Sequence, residues 1–289
     1  MTGQRPLILV TNDDGIHSPG LWAAVEAVLP LGEVLVAAPD RQFSGAGRSM
    51  PRSVTGSVRS AWRDVNGHRV PAYALDASPA QAVIHAVLEL VTRPPSLVVS
   101  GVNHGLNLGT EVTISGTIGA ALEAAAFGIP ALAVSQEGEP THDGDEGPAW
   151  DFRASIGFTR RFARRLLEGP LPDDAHVLSL NLPADATPES PWCITRLSRQ
   201  RYFLPVPPDR TQGHGRPGYR RTENPEEAEP ESDVWAVRVE GHVSVTPLSL
   251  DLTSRSAFRA LAARLGALMP PVPDPWASLL DQPEESLAV

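Results

Sequence analysis

The chain alternates short apolar runs with segments whose hydrophobic residues recur at helical spacing. A short apolar run bounded by polar residues fits a strand that is buried on both faces. Strands that alternate with helices are typical of βαβ units, and therefore of an α/β domain with a parallel sheet. Five runs are predicted as strands: 7–11, 33–38, 96–100, 131–135 and 176–182.

The predicted helices begin at residues that suit a first helical turn. Ser18 and Ser78 are each followed by proline, and this pair fits an N-cap and the first helical position. A third helix is predicted after Thr117 and ends at Gly128 and Pro130. The other two predicted helices cover about 150–168 and about 254–268.

The character of the sequence changes after about residue 190. Residues 205–232 are rich in proline, glycine and charge, and they are interpreted as an exposed loop because they cannot pack a core. Strand-like stretches at 193–204 and 233–246 flank this loop and predict a long hairpin arm. We therefore predict three regions: an α/β domain at 1–190, a protruding hairpin arm at 191–250, and a C-terminal helix and tail at 251–289.

The composition of the chain disfavours some classes of binding partner and indicates a cellular location. The net charge of −10 disfavours nucleic acid and anionic membranes as main partners. No apolar run approaches the roughly 20 residues that span a bilayer, and the first predicted strand begins too early to leave room for a signal peptide. The single cysteine, Cys193, cannot form an internal disulfide, so a cytoplasmic location is expected.

The basic residues exclude several reaction types. All 24 of them are arginine, and the chain contains no lysine. A P-loop NTPase and a Schiff-base enzyme both need a lysine ammonium or amine group. Neither class is therefore compatible with this sequence.

The first candidate site follows the first strand, at Asp13 and Asp14. Adjacent carboxylates repel each other, and each costs free energy to remove from water. Both can face one site only because the chain turns at Gly15, since neighbouring residues of a continuous strand point to opposite faces. A bound cation stabilises such a pair, although caps and turns account for Asp-Asp-Gly segments about as often.

Further oxygen donors follow other predicted strands. Ser44 comes after the second strand and Asn103 after the strand at 96–100, and ligands of open parallel sheets bind beyond the carboxyl ends of the strands. Two carboxylates, a hydroxyl and an amide suit a hard cation such as Mg²⁺ or Mn²⁺. Taken singly, Ser44 and Asn103 fit ordinary turns as well.

The turn Ser115-Gly116-Thr117 enters the third predicted helix, and its hydroxyls and backbone N–H groups suit a bound phosphate. An ordinary helix cap accounts for the same residues. His17 and His104 flank the candidate metal segments, and each is either a proton donor or a structural histidine. Together these segments indicate a divalent-metal phosphohydrolase.

In combination, the segments resemble the survival protein SurE family. Its motifs occur in family order between about residues 7 and 253: Thr11-Asn12-Asp13-Asp14-Gly15-Ile16 with Ser18-Pro19-Gly20, Ala38-Pro39-Asp40 with Ser44-Gly45, Ser100-Gly101-Val102-Asn103-His104-Gly105, Ser115-Gly116-Thr117 with Gly119-Ala120-Ala121 and Glu123-Ala124, and Asp233–Val237 with Gly241–Leu248 and Asp251-Leu252-Thr253. Two positions depart from tyrosines that are common in the family: Ile114 before Ser115, and His242 after Gly241.

The resemblance implies a metal-dependent phosphatase of nucleoside 5′-monophosphates, often also of 3′-monophosphates and sometimes of short polyphosphate. It implies one divalent ion per subunit, with Asp13, Asp14, Ser44 and Asn103 as ligands. The catalytic residues expected are Asp13, Asp14 and Asn103, and the phosphate-binding residues expected are Ser44, Gly45, Ser115, Gly116 and Thr117.

The resemblance also implies a fold and an assembly. The fold is a Rossmann-like, mostly parallel sheet with helices on both faces, a protruding β-hairpin and a C-terminal helix. The expected assembly is a homodimer or homotetramer that exchanges C-terminal elements between subunits.

Hydrolysis by a water that the metal activates is the expected mechanism. An aspartyl-phosphate route through Asp13 or Asp14 is the alternative, but phosphatases of that kind also use a lysine. Two other functions stay open: a nucleotide sensor without turnover, and a phosphatase of polyphosphate or other phosphomonoesters. A phospho-acceptor receiver domain fits less well because it also needs a lysine.

Overall fold

The computed structural model describes residues 4–138, 150–211, 214–215, 217–254 and 258–266. The chain divides into two compact units, of which the first ends at Leu250 and the second begins at Asp251. The described residues of the first unit form eleven strands: β1 Leu7–Thr11, β2 Glu33–Pro39, β3 Val58–Val65, β4 His68–Leu75, β5 Leu97–His104, β6 Ala131–Gln136, β7 Val177–Leu182, β8 Trp192–Ile194, β9 Phe203–Val206, β10 Gly218–Arg221 and β11 Val243–Leu248.

Over the same described residues, five α-helices belong to the first unit and one to the second: α1 Pro19–Val28, α2 Pro79–His85, α3 Gly116–Ala126, α4 Arg153–Glu168, α5 Asp233–Arg238 and α6 Phe258–Leu265. Shorter helical turns cover Ala86–Leu90, Gly109–Thr113 and Pro225–Glu227. Within the described ranges, no helix is long and apolar enough to cross a membrane.

Nine strands form one sheet in the order β3-β4-β2-β1-β5-β6-β7-β11-β8. The six strands from β4 to β7 are mutually parallel, whereas β3 and β11 run antiparallel to their neighbours β4 and β7. Strands β9 and β10 pair antiparallel in a separate two-stranded sheet. This arrangement confirms the predicted fold class.

Helices cover both faces of the sheet. On one face, Leu21 of α1 and Phe158 of α4 pack with inward residues such as Val10 and Val99. On the other face, Val83 of α2 and Ile118 of α3 belong to a second core cluster. The parallel strands β1, β2, β5, β6 and β7 are therefore mostly apolar on both sides, and this is why the sequence shows continuous apolar runs there rather than alternation.

The predicted strands and the first four predicted helices are present. Ser78 caps α2 as predicted, because its hydroxyl accepts from the backbone N–H of Gln81 at 3.2 Å. Ser18 precedes α1, but its side chain forms no capping bond. Strand β5 is longer than the predicted 96–100 and continues to His104, with an irregular register between Ser100 and Asn103.

The prediction for the region after residue 190 was partly wrong. The hairpin is β9–β10, of which β10 and the last two residues of β9 lie within the segment predicted as a loop at 205–232. The predicted strand at 233–246 is helix α5 followed by β11, and β11 joins the central sheet beside β7. Ser232 explains the helix, since its hydroxyl accepts from the N–H of Trp235 at 3.2 Å.

The described part of the second unit contains α6, which is shorter than the helix predicted at 254–268. The proline-rich tail after residue 266 lies outside the described residues. The predicted exchange of C-terminal elements between subunits falls largely on the same part of the chain and stays a prediction.

Candidate active site

The candidate residues lie at the carboxyl edge of the sheet, where β1 and β5 are neighbours. From β1 the chain moves to β2 and β4 on one side, and from β5 it moves to β6 and β7 on the other. The crevice between β1 and β5 is therefore the switch point of the sheet, where open α/β sheets bind ligands.

A local hydrogen-bond pair shapes the turn after β1. The side-chain oxygen of Asn12 accepts from Gly15 N–H at 3.2 Å, and its amide donates to Gly15 O at 3.1 Å. Gly15 has a φ of +95°, which residues with a side chain rarely adopt. The turn therefore holds Asp13 and Asp14 in the fixed bend that the sequence predicted.

Asp13 is buried, with 5% of its surface exposed. The hydroxyl of Thr117 donates to Asp13 Oδ1 at 2.6 Å, so α3 begins directly against this carboxylate. Burial raises the pKa of Asp13 from 3.8 to about 7, and the nearby charge of Asp14 adds to the rise. A carboxylate in this position is unfavourable without a neighbouring positive charge.

Asp14 connects the same turn to β5. Its Oδ2 accepts from the backbone N–H of His104 at 3.2 Å, and its Oδ1 accepts from Gln42 Nε2 at 3.5 Å. Burial raises the pKa of Asp14 as well. The two carboxylates thus meet the start of α3, the end of β5 and the loop after β2.

Backbone hydrogen bonds connect the loop after β2 to the candidate site. Phe43 N–H donates to Asp13 O at 2.7 Å, and Gly47 N–H donates to Ile114 O at 2.8 Å. Ser44 and Gly45 lie between these anchors and are exposed. Among the described contacts, none joins the Ser44 hydroxyl to either carboxylate, so its role as a ligand stays a prediction.

Asn103 lies near the end of β5, and its amide nitrogen forms a hydrogen bond within the protein. Asn103 Nδ2 donates to Gly105 O at 2.8 Å. This bond fixes the orientation of the amide and leaves Oδ1 as its acceptor atom. Because His104 is bonded to Asp14, Asn103 belongs to the same end of the crevice.

The start of α3 serves as a cap and also meets the acidic pair. Ser115 Oγ accepts from Ile118 N–H at 3.2 Å, as an ordinary N-cap does. A Cβ placed on Gly116 would lie 2.7 Å from Asp13 Cβ and 2.8 Å from Asp13 Oδ2. Glycine is therefore required here so that the helix can approach the carboxylate closely.

We expect Gly116→Ala to lower catalytic turnover by about 10²-fold, because a displacement of about 1 Å at a reacting centre costs roughly that much. The added methyl group displaces the Asp13 carboxylate. The matched control is Gly169→Ala, where a Cβ meets no described atom within 4 Å. Equal turnover in both variants would contradict the expected displacement.

The two candidate histidines differ in environment. The ring of His104 stacks on Trp150 with centroids 4.4 Å apart, and its Nε2 is buried with no partner among the described atoms. Burial lowers the pKa of His104, which favours the neutral ring. His17 is exposed.

Sequence reasoning missed the residues that hold the loop after β5. Asn107 N–H donates to Asn181 Oδ1 at 2.8 Å, and Asn181 Nδ2 donates to Asn107 O at 3.1 Å. Asp233 is buried and accepts from the N–H groups of Gly109 at 2.7 Å and Ser198 at 2.9 Å. The signal for Asn181 was a polar residue inside the apolar run of β7.

We expect Asp233→Ala to lower the free energy of unfolding by roughly 3 kcal/mol or more, since each stranded buried donor costs about 1–3 kcal/mol. The carboxylate bonds three backbone N–H groups, including that of Val234 at 2.9 Å. Urea unfolding measures the change. Asp185→Ala, at an exposed position, is the control, and a similar effect of both substitutions would contradict this role.

A second missed group joins the hairpin to the carboxyl end of β6. Glu137 is 7% exposed at its side chain and accepts from Arg221 of β10 at 2.9 Å and from Arg238 of α5 at 2.5 Å. Buried ion pairs of this kind fix geometry when both partners are present. The hairpin is therefore fastened to the same edge of the sheet as the acidic pair.

Fold and site together define a doubly wound α/β protein with an acidic ligand site at the switch point of its sheet. The chain belongs to the SurE family, since the family model described as survival protein SurE matches residues 8–203. The predicted family is thereby confirmed.

Individual relatives agree with this assignment. The chain is 44% identical over 255 residues to 5′-nucleotidase SurE of Thermococcus gammatolerans, covering 88% of this chain and 94% of the relative. It is 42% identical over 259 residues to 5′-nucleotidase SurE of Methanosarcina mazei, covering 88% and 95%. The crystal structure of the SurE protein from Aquifex aeolicus is similar, with a TM-score of 0.65, 32% identity, and coverage of 90% and 100%.

Proposed function

We propose that the chain is a phosphoric monoester hydrolase that converts nucleoside 5′-monophosphates into nucleoside and phosphate. The observation that carries this proposal is the adjacent pair of buried Asp13 and half-buried Asp14 at the switch point, with Asp13 bonded to the first turn of α3. The relatives named 5′-nucleotidase support the class of substrate.

The donors at this site fit a hard divalent cation. Asp13 and Asp14 are desolvated neighbours with raised pKa values, so a positive charge between them offsets both penalties. Asn103 presents an amide oxygen because its nitrogen is bonded to Gly105. We propose Asp13, Asp14 and Asn103 as ligands, with Ser44 as the fourth, and Mg²⁺ or Mn²⁺ as the ion.

When bound, such an ion offsets the charge that develops on the phosphoryl group and acidifies water. The chain's own groups supply the positioning. Thr117 holds Asp13 through its hydroxyl, and we propose that free N–H groups at the start of α3 bind phosphate oxygens. Ser44 and Gly45 lie on the loop that is bonded to Asp13, and we propose that they close over the phosphate.

The His104 ring is not proposed as the proton donor to the leaving oxygen, because burial lowers its pKa and favours the neutral ring. We therefore assign His104 a positioning role, since its backbone N–H bonds Asp14 and its ring packs on Trp150. His17, which is exposed beside the turn after β1, is the histidine proposed as a proton donor.

Phosphate release tests the proposal. Purified full-length protein is incubated with AMP, GMP, their 3′-isomers and short polyphosphate, each with Mg²⁺, Mn²⁺ or EDTA. We expect release from the 5′-monophosphates with a divalent ion and none with EDTA. Binding of AMP without release would identify a nucleotide sensor, and release from polyphosphate alone would overturn the proposed substrate.

The finer predictions are part of the same proposal. Release from 3′-monophosphates is expected at the same site because the ligand set recognises the phosphoryl group. The stereochemistry at phosphorus, followed with a chiral thiophosphate substrate, separates direct attack by water, which inverts the configuration, from the aspartyl-phosphate route, which retains it after two displacements. Homo-oligomer formation and a cytoplasmic location stay predictions from the sequence.

A further inference from the structure

We propose that Cys193, Glu240 and His242 form a second metal site, which takes a borderline divalent ion of the zinc class. The cysteine sulfur, a carboxylate oxygen and a ring nitrogen all lie within 4.8 Å of one another. The chemistry of these three atoms differs from the all-oxygen set at Asp13, so the two sites select different ions.

The fold brings the three residues together from two segments. Cys193 is on the edge strand β8, and Glu240 and His242 occupy the turn between α5 and β11. Strands β8 and β11 are parallel neighbours, with Cys193 opposite Ser244. The cluster is therefore a product of strand pairing at the end of the sheet.

The backbone around the cluster is held in place. His242 N–H donates to Ala236 O at 2.8 Å, which fixes the turn against the end of α5. Val243 N–H donates to Pro191 O at 2.9 Å, which fixes the start of β8 beside β11. Only the side chains need to move when an ion binds.

The site lies far from the acidic pair. Strand β8 is the fifth neighbour from β1 in the order β1-β5-β6-β7-β11-β8. At about 4.8 Å per strand, the separation is roughly 24 Å. An ion at Cys193 is therefore too far away to touch a phosphate held at Asp13.

The ligand set has the composition of a zinc site with an open position. Zinc binds sulfur at about 2.3 Å and imidazole nitrogen at about 2.0–2.1 Å, so neighbouring ligands come within roughly 3.5 Å of each other. Glu240 and His242 are already 3.0 Å apart, and their side chains are 43% and 34% exposed. These side chains have room to close around an ion, with solvent as a fourth ligand.

We expect a bound ion to link the edge strand β8 to the rest of the sheet. Strand β8 has three residues, and among the strands that the structure describes it pairs with β11 alone. An ion that links Cys193 to the turn joins this strand to α5 and β11. Because the ion binds only the folded chain, it stabilises that state by mass action.

Cobalt tests the site, because thiolate ligation to Co²⁺ gives a charge-transfer band in the near ultraviolet. The metal-free full-length chain is titrated with Co²⁺, and we expect the band to grow and then to saturate, since it reports on the thiolate site alone. We expect His242→Ala and Glu240→Gln each to weaken the midpoint at least 10-fold. Cys193→Ser should abolish the band.

Two controls separate this site from others. Asp13→Asn should leave the band and its midpoint unchanged, and His68→Ala, at an exposed histidine of β4, should do the same. In the Asp13→Asn background, Zn²⁺ should raise the melting temperature, and Cys193→Ser should remove that rise. Absence of the band would overturn the proposal. So would a midpoint in the His242→Ala and Glu240→Gln variants that equals the midpoint of the original chain.

Discussion

Asp13→Asn lowers the metal-dependent release of phosphate from AMP by at least about 10²–10³-fold, the usual cost of losing one group that stabilises transition-state charge. The substitution keeps the shape of the side chain and can still accept from the Thr117 hydroxyl, which lies 2.6 Å from Oδ1. It removes the negative charge that the proposed cation needs. The fall should appear in kcat, measured at saturating Mn²⁺.

The control for this variant is Asp185→Asn, which changes one exposed carboxylate and leaves the site intact. Circular dichroism and the urea midpoint show that both proteins are folded. If Asp13→Asn kept full activity while still depending on a divalent ion, the assignment of Asp13 as a ligand would be wrong.

The stability of the metal-free protein falls by up to about 4 kcal/mol between pH 4 and pH 7 through Asp13 alone. Burial, with the charge of Asp14, raises the pKa of Asp13 from 3.8 to about 7. Between these pH values the folded chain binds a proton that the unfolded chain has lost, so the free energy of unfolding decreases as pH rises. Three pKa units at about 1.4 kcal/mol each give the magnitude.

Urea unfolding in EDTA at several pH values measures this effect as a difference from Asp13→Asn. The variant lacks the titrating group, so we expect it to become more stable than the original chain above pH 7. Saturating Mn²⁺ should reverse that order, because the ion compensates the charge in the original chain only. Parallel pH profiles of the two metal-free proteins would contradict a raised pKa.

Local signals predicted much of the fold. The strand signal at 7–11 and the helix-start signals at Ser18 and Ser78 each come from residues that are adjacent in the sequence. The structure has β1, α1 and α2 at these positions. These elements are buried on the faces that the spacing indicated. Burial on both faces made the five inner parallel strands easy to recognise.

The hairpin β3–β4 was absent from the predicted elements, although a signal was present. Asn66 and Gly67 connect the strands with φ values of 51° and 78°, the conformation in which Asn-Gly forms tight hairpin turns. Strand β3 is exposed along most of its length, so its hydrophobic pattern is weak. Strand β10 was not predicted for the same reason: its four residues are all exposed, so the sequence shows no hydrophobic pattern there.

Local patterns nominated the candidate site residues, whose roles stay predictions, but not the residues that support their loops. Asp13 and Asp14 could be identified because two adjacent carboxylates at a strand end are unusual. Asn181 and Asp233 could not, because their partners lie 74 and 124 positions away along the chain. Contacts of that span follow from the completed sheet rather than from any local pattern.

Asp233 has a consequence for how the protein is made. The loop after β5 depends on a carboxylate that leaves the ribosome well over a hundred residues later, and β11 enters the sheet later still. A nascent chain that ends near residue 203 therefore contains every proposed metal ligand. It lacks Asp233, whose carboxylate holds the loop after β5. We expect newly translated protein to be inactive until the final strand has docked.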